Sequence, residues 1–238
     1  MKKKQVVCLI GSTRGSKTTS ESIVDYLQKQ LANGNIQLKK FRVCQVFALE
    51  EEMNQFIAVL AGSDMLLLSS PLYVDSLPYP VLGVMEELSR KIRRESWSGK
   101  EMMAIIHSGY PEPIQRKACL DICRCFAEEM GLKWLGGIGF GGTSIIGGQP
   151  LEEMGRFSKW LRKALEEMAP AIIEGEPIPA RARETSHKNF LPLPKPLLKV
   201  LLNAVMRRTA KKKGIDIYAR PYESKRLQVK RRGGDGNG

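Results

Sequence analysis

No stretch of this chain reaches the roughly eighteen consecutive apolar residues that a bilayer-spanning helix needs, so no such helix is expected. A secretory leader is not expected either, because Met1-Lys2-Lys3-Lys4 runs into only six strand-like residues before Gly11. Five cysteines, an odd number in 238 residues, do not make a disulfide framework. With those absences the expected compartment is the cytoplasm. Two nucleotide-loop signatures are also missing: GxxxxGK[ST] and the three-glycine dinucleotide fingerprint. An acidic surface of the sort that electron carriers present to basic partners is missing too. Residues 1–180 carry 22 Lys and Arg against 21 Asp and Glu, whereas residues 181–238 carry 16 against 4. The body is nearly neutral and the tail strongly basic.

What is present centres on Gly11 to Ser20, GSTRGSKTTS, which holds two glycines, six hydroxyl side chains, an Arg and a Lys. Before it, Gln5 to Ile10 is a continuous apolar run that reads as a buried parallel strand. After it, Glu21 to Leu31 spaces Ile23, Val24, Leu27 and Leu31 as a helix does. A hydroxyl-rich loop that feeds a helix N-terminus is an anion site, because free N–H groups and the helix dipole both favour negative charge. Its chemistry suits a terminal monophosphate such as that of FMN. An ordinary Ser/Thr-capped turn between strand and helix has the same composition.

Apolar runs then alternate with helical patterns up to about residue 175. Strands are expected over 36–47, Asp64–Ser70, Glu101–His107 and Leu132–Phe140. Helices are expected over Met53–Ala61, Pro80–Arg93 and Pro113–Met130, with one long helix over Leu151–Glu174 that carries Phe157, Trp160 and Leu161. Five strands alternating with helices imply an α/β fold, a doubly wound parallel sheet covered on both faces. In such sheets ligands sit outside the carboxyl ends of the strands. The loops there are the hydroxyl loop, SSPLYVDSLP (Ser69 to Pro78), HSGYPE (His107 to Glu112) and GGTSIIGG (Gly141 to Gly148), which are expected to converge on one cleft.

That ordered set of loops, from residue 4 to about 175, resembles the flavodoxin-like NAD(P)H-dependent FMN reductases and quinone reductases. The resemblance implies a flavodoxin-like fold, bound FMN, NAD(P)H as electron donor and a quinone, flavin or other small aromatic acceptor. It implies phosphate contacts from Ser12, Arg14, Ser16, Thr18 and Thr19. Pro71, Leu72, Tyr73 and Val74 would run along the flavin ring, and His107, Ser108, Gly109 and Tyr110 would close over it. Two positions depart from that family: Thr13 stands where proline is common and Lys17 where a small polar residue is. Tyr73 and Tyr110 are candidate stacking walls or hydroxyl donors, and His107 a candidate proton donor. Each also reads as a packing or strand-end residue. A homodimer is the expected assembly. The competing readings are a flavodoxin-type electron carrier and a flavin-binding sensor or scaffold without turnover.

Cys119, Cys123 and Cys125 fall within one helix, at a spacing that suits buried structural thiols better than an iron–sulfur cluster. Cys8 and Cys44 read as core positions on strands, and no metal site is expected. The domain reading is a flavin-binding domain over 1–178 and a basic extension over 179–238. Pro177 to Pro196 reads as a linker, and Leu197 to Arg208 as a short helix with a stripe of Leu197, Leu198, Leu201, Leu202 and Val205. The last twenty residues read as partly ordered up to Tyr222 and then as a flexible end. The basic helix could pack on the domain or a partner subunit, or lie on an anionic membrane. Nothing in it reads nucleic acid, which is the least favoured partner.

Overall fold

In the computed structural model, which describes residues 3–187 and 195–219, five strands form one parallel sheet. They are β1 (Lys4–Ile10), β2 (Ile36–Arg42), β3 (Met65–Pro71), β4 (Glu101–His107) and β5 (Lys133–Phe140). Their order across the sheet is β2-β1-β3-β4-β5, the flavodoxin-like order. Strand residues alternate between two buried layers, as a sheet covered on both faces requires. Val6, Cys8 and Ile10 pack with α1 (Thr19–Gln30), and Val7 and Leu9 face the opposite layer. That layer is built by α2 (Val43–Ala48), α3 (Glu50–Ala61), α4 (Tyr79–Lys91) and α5 (Ile114–Met130). The first layer is completed by α6 (Lys159–Glu174) and α7 (Ala180–Ser186).

Three sequence expectations differ from the structure. The strand expected over 36–47 ends at Arg42, and the rest is α2. Its apolar residues Val43 and Val46 change from strand to helix spacing, and both are buried. Cys44 therefore sits on a helix, half-buried, and not on a strand. The long helix expected over Leu151–Glu174 is broken at Gly155, whose φ of 54° and ψ of −125° are not helical. Leu151–Phe157 winds as a tighter 3₁₀ segment, Ser158 donates to Leu151 O at 2.5 Å, and Phe157 is left partly exposed and off the core stripe. Within the expected linker, 180–186 is the helix α7, because Ala182 is buried and Ile178 N donates to Leu135 O beside β5.

Cys119 and Cys123 are buried in α5, where desolvation pushes the Cys119 thiol up to about 11 and the Cys123 thiol up as well. Cys125 is exposed on the other side of that helix, unlike its two neighbours. Among the described residues no cluster could hold a metal ion, and no helix is long and apolar enough to cross a membrane.

The chain divides into two compact units, residues 1–190 and 191–238. The second holds α8 (Lys195–Lys212), which contains the helix expected from Leu197 to Arg208. Its described side chains are mostly exposed, among them Val200 and Met206. The expectation for the chain beyond Ala219 lies outside the described residues.

Candidate functional site

Parallel pairing places the strand carboxyl ends side by side: Ile10 opposite Ser69, Pro71 opposite His107, and His107 opposite Phe140. The loops that leave these ends are laced together. Leu72 N donates to His107 O, Ser108 N to Phe140 O, and Thr143 N to Ser108 O, at 2.8–3.0 Å. They enclose an open cleft of about 180 Å³ lined by Ser12, Arg14, Thr19, Pro71, Leu72, Tyr73, His107, Ser108, Gly109, Thr143 and Ser144.

One end of the cleft is an anion pole. Thr18 is the N-cap of α1, accepting from Glu21 N at 3.2 Å, and its carbonyl accepts from Ser22 N. The N–H groups of Thr19 and Ser20 lie in the first turn, beyond the reach of the helix's own carbonyls. Beside them stand the hydroxyls of Ser12 and Thr19 and the Arg14 guanidinium. Glu21 braces this loop from behind, taking Lys17 N at 2.8 Å and Arg42 Nη2 at 2.7 Å. Burial opposes its charge, but the bonds from Arg42, Lys17 and Thr18 prevail and hold its carboxyl below the usual range. A negative residue is thus neutralised next to an anion site. The sequence carries a signal for it, the capping-box spacing Thr-x-x-Glu at 18–21.

The wall after β3 is a tight hairpin. Tyr73 and Ser76 exchange backbone hydrogen bonds, and the two residues between them, Val74 and Asp75, have φ of 50° and 60°. Positive φ at both positions is the signature of a type I′ turn. Tyr73 Oη reaches across to Thr13 Oγ1 at 3.4 Å, so the first and second loops meet over the cleft.

His107 is 6% exposed and fastened at both nitrogens, Nε2 to Ser20 Oγ at 2.7 Å and Nδ1 to Thr143 Oγ1 at 3.3 Å. Thr143 Oγ1 donates to Ser108 O, which assigns the ring proton to Nδ1 and makes Nε2 the acceptor from Ser20. Burial, with Arg14 nearby, lowers its pKa from 6.5 to about 3. The imidazole is a neutral tie between α1, β4 and the loop after β5, not a charged group offering a proton to the cleft.

Behind the 108–112 loop lies Arg116, 2% exposed. Its Nη1 donates to Ser108 Oγ at 3.0 Å, Tyr110 O at 3.2 Å and Glu112 O at 3.1 Å, and Nη2 to Pro111 O at 3.4 Å. Burying a cation costs several kcal/mol. Hydrogen bonds from a charged donor, each contributing about 1.5–3 kcal/mol, offset that cost.

Nine of the sequence-derived site residues therefore line one cleft. Ser16 is exposed and does not line the cleft, and Thr18 acts as the helix cap. Val74 stands at the hairpin tip, 97% exposed, and Tyr110 is 65% exposed; neither lines the cleft. Thr143 and Ser144 are added by the loop after β5, whose Gly, Ser and Thr content was its sequence signal. Arg116 had none, since a lone arginine near a helix start reads as solvated.

The donor set fits an FMN phosphate: hydroxyls, first-turn N–H groups and one guanidinium at a helix N-terminus. A Cβ on Gly109 would strike Ser144 Oγ, so glycine there lets the two loops close on each other beside the cleft. At about 180 Å³ the cleft is below the ~300–1,000 Å³ of pockets that bury a whole ligand, so a flavin would remain partly open to solvent.

No family model matches the chain, and no curated protein matches it in sequence. Solved structures do match it in fold. RosB with a bound 8-demethyl-8-formylriboflavin-5′-phosphate intermediate is 10% identical with a TM-score of 0.55, covering 91% of this chain and 90% of its own. The apo form of the NADH:FMN oxidoreductase EmoB is 15% identical with a TM-score of 0.54, covering 80% of this chain and 97% of its own. An FMN-dependent NADH-azoreductase from Bacillus anthracis str. Ames Ancestor, in complex with FMN, is 13% identical with a TM-score of 0.51, covering 73% and 100%. At these identities the likeness is one of architecture, and the chain is a flavodoxin-like α/β protein.

Proposed function

We propose that this protein is an FMN-dependent NAD(P)H oxidoreductase that reduces a quinone, a flavin or another small aromatic acceptor. The observation that carries this reading is the cleft at the point where the strand order reverses, between β1 and β3. It joins an anion pole at Ser12, Arg14 and Thr19 to a wall of Pro71, Leu72 and Tyr73. The solved structures of like fold, two of them named as acting with NADH and FMN, support the class.

A bound flavin would supply the capacity to accept and release hydride. The chain's own contribution is placement. Ser12, Thr19, Arg14 and the first turn of α1 would hold the phosphate. Tyr73, with its hydroxyl at Thr13, forms a side wall against which the flavin ring would lie. Ser108 and Gly109 form another part of the wall, and His107 keeps α1, β4 and the loop after β5 in register.

The test is the visible absorption of the purified protein, followed by anaerobic addition of NADH or NADPH. A flavin spectrum that bleaches within seconds supports the reductase. One that persists favours an electron carrier or sensor, and failure to bind added FMN overturns the reading.

A further inference from the structure

The cleft's walls alone do not account for the charge buried behind them. Arg116 is the third residue of α5, so its guanidinium sits at a helix N-terminus, where the dipole is already positive. Every hydrogen-bond partner it has is neutral, one hydroxyl and three carbonyls. Among the described residues it has no ion pair, and the only carboxylate acting on it is that of exposed Glu112. The space it occupies is kept open by glycine. A Cβ on Gly139 would stand 3.0 Å from its Nε, and one on Gly141 2.8 Å from its Nη1. The first neutral partner, Ser108, is itself part of the cleft wall. A cation with no contact ion pair, shielded from water, acts over a longer range than a surface one.

We infer that Arg116 is a positioning residue whose buried charge, bonded to the cleft wall through Ser108, favours a ligand that bears or gains negative charge against the 108–109 loop. This deepens the flavin reading and rests on it. In that reading the 108–109 loop would lie along the pyrimidine side of the ring, where a flavin gains negative charge when reduced, so the charge of Arg116 would make the bound cofactor easier to reduce. The same bonds hold the loop in shape, so the two roles need separate readouts.

The experiment compares wild type, Arg116→Gln, Arg116→Lys and Glu112→Gln as full-length proteins at low ionic strength. It measures the affinity for FMN and the two-electron potential of the bound FMN by spectroelectrochemistry. Arg116→Gln is expected to lose about tenfold of the preference for reduced over oxidised FMN, a fall of ~30 mV. Arg116→Lys is expected to keep most of it. Glu112→Gln removes the opposing carboxylate from an exposed position and is expected to move the potential the other way by about twofold, ~9 mV. A merely structural Arg116 would weaken both forms of FMN alike, and an unchanged potential in Arg116→Gln overturns the inference. Should that variant fail to fold, an unchanged potential in Glu112→Gln overturns it as well. No FMN binding by the wild-type protein brings down the flavin reading and this inference together. Bound FMN at one potential in all four proteins brings down the inference alone.

Discussion

His107 makes the stability of the protein depend on pH through a group that stays neutral in the native state down to about pH 3. Burial and Arg14 lower its pKa from 6.5 to about 3. Between those values the unfolded chain binds a proton that the native protein does not, so stability rises with pH there. This contribution is fully present above about pH 6.5 and is lost as pH falls towards 3. Each pH unit in that window corresponds to ~1.4 kcal/mol for one such group. Wild type is expected to lose ~1 kcal/mol between pH 6.5 and 5.5, above the range where carboxylates titrate, in urea unfolding. His107→Gln, which can still bond Ser20 and Thr143, is expected to lose much less. Equal losses would place the pH dependence elsewhere. The position of His107 at a strand end was legible in the sequence, but its neutrality was not, because that follows from Ser20 and Thr143 meeting the ring across 87 and 36 residues of chain.

Elements decide where the cleft's edges lie. The hairpin at Tyr73–Ser76 folds through Val74 and Asp75 at positive φ, which suits Asn-Gly and strains a β-branched residue. The double variant Val74→Asn with Asp75→Gly is expected to stabilise the protein by ~1–2 kcal/mol in chemical denaturation, because it relieves strain of that order. Neither side chain lines the cleft, so affinity for FMN is expected to change little. A double variant no more stable than wild type would mean that the turn carries no strain. Helix patterns were the most legible elements: Ile23, Val24 and Leu27 are buried on α1 as their spacing predicts. The breaks at Arg42 and Gly155 were harder to see, because an apolar run such as 41–47 satisfies strand and helix periods alike until its neighbours choose.

At the scale of the whole molecule, charge separates the two units. The sheet unit is close to neutral, whereas α8 carries six Lys and Arg and no Asp or Glu, with Val200 and Met206 exposed. A basic helix with apolar residues is the chemistry that adsorbs to an anionic lipid surface, at ~1 kcal/mol per basic side chain near the surface. The full-length protein is expected to co-sediment with vesicles containing phosphatidylglycerol, to stay in solution with neutral vesicles, and to be released by high salt. A chain ending at residue 190 is expected not to sediment. Full-length protein that ignores anionic vesicles would leave the basic unit to a protein partner.

By itself the sequence determined the alternation of strands and helices, the hydroxyl loop before α1 and the basic character of the tail, because these rest on the periodicity and chemistry of neighbouring residues. The tertiary structure alone decided that β1 lies between β2 and β3. That order brings residues 12–19, 71–73, 107–109 and 143–144 to one cleft. It also decided that His107 is neutral and that Arg116 is a buried cation, since desolvation depends on what surrounds a side chain in space and not on what adjoins it in the chain.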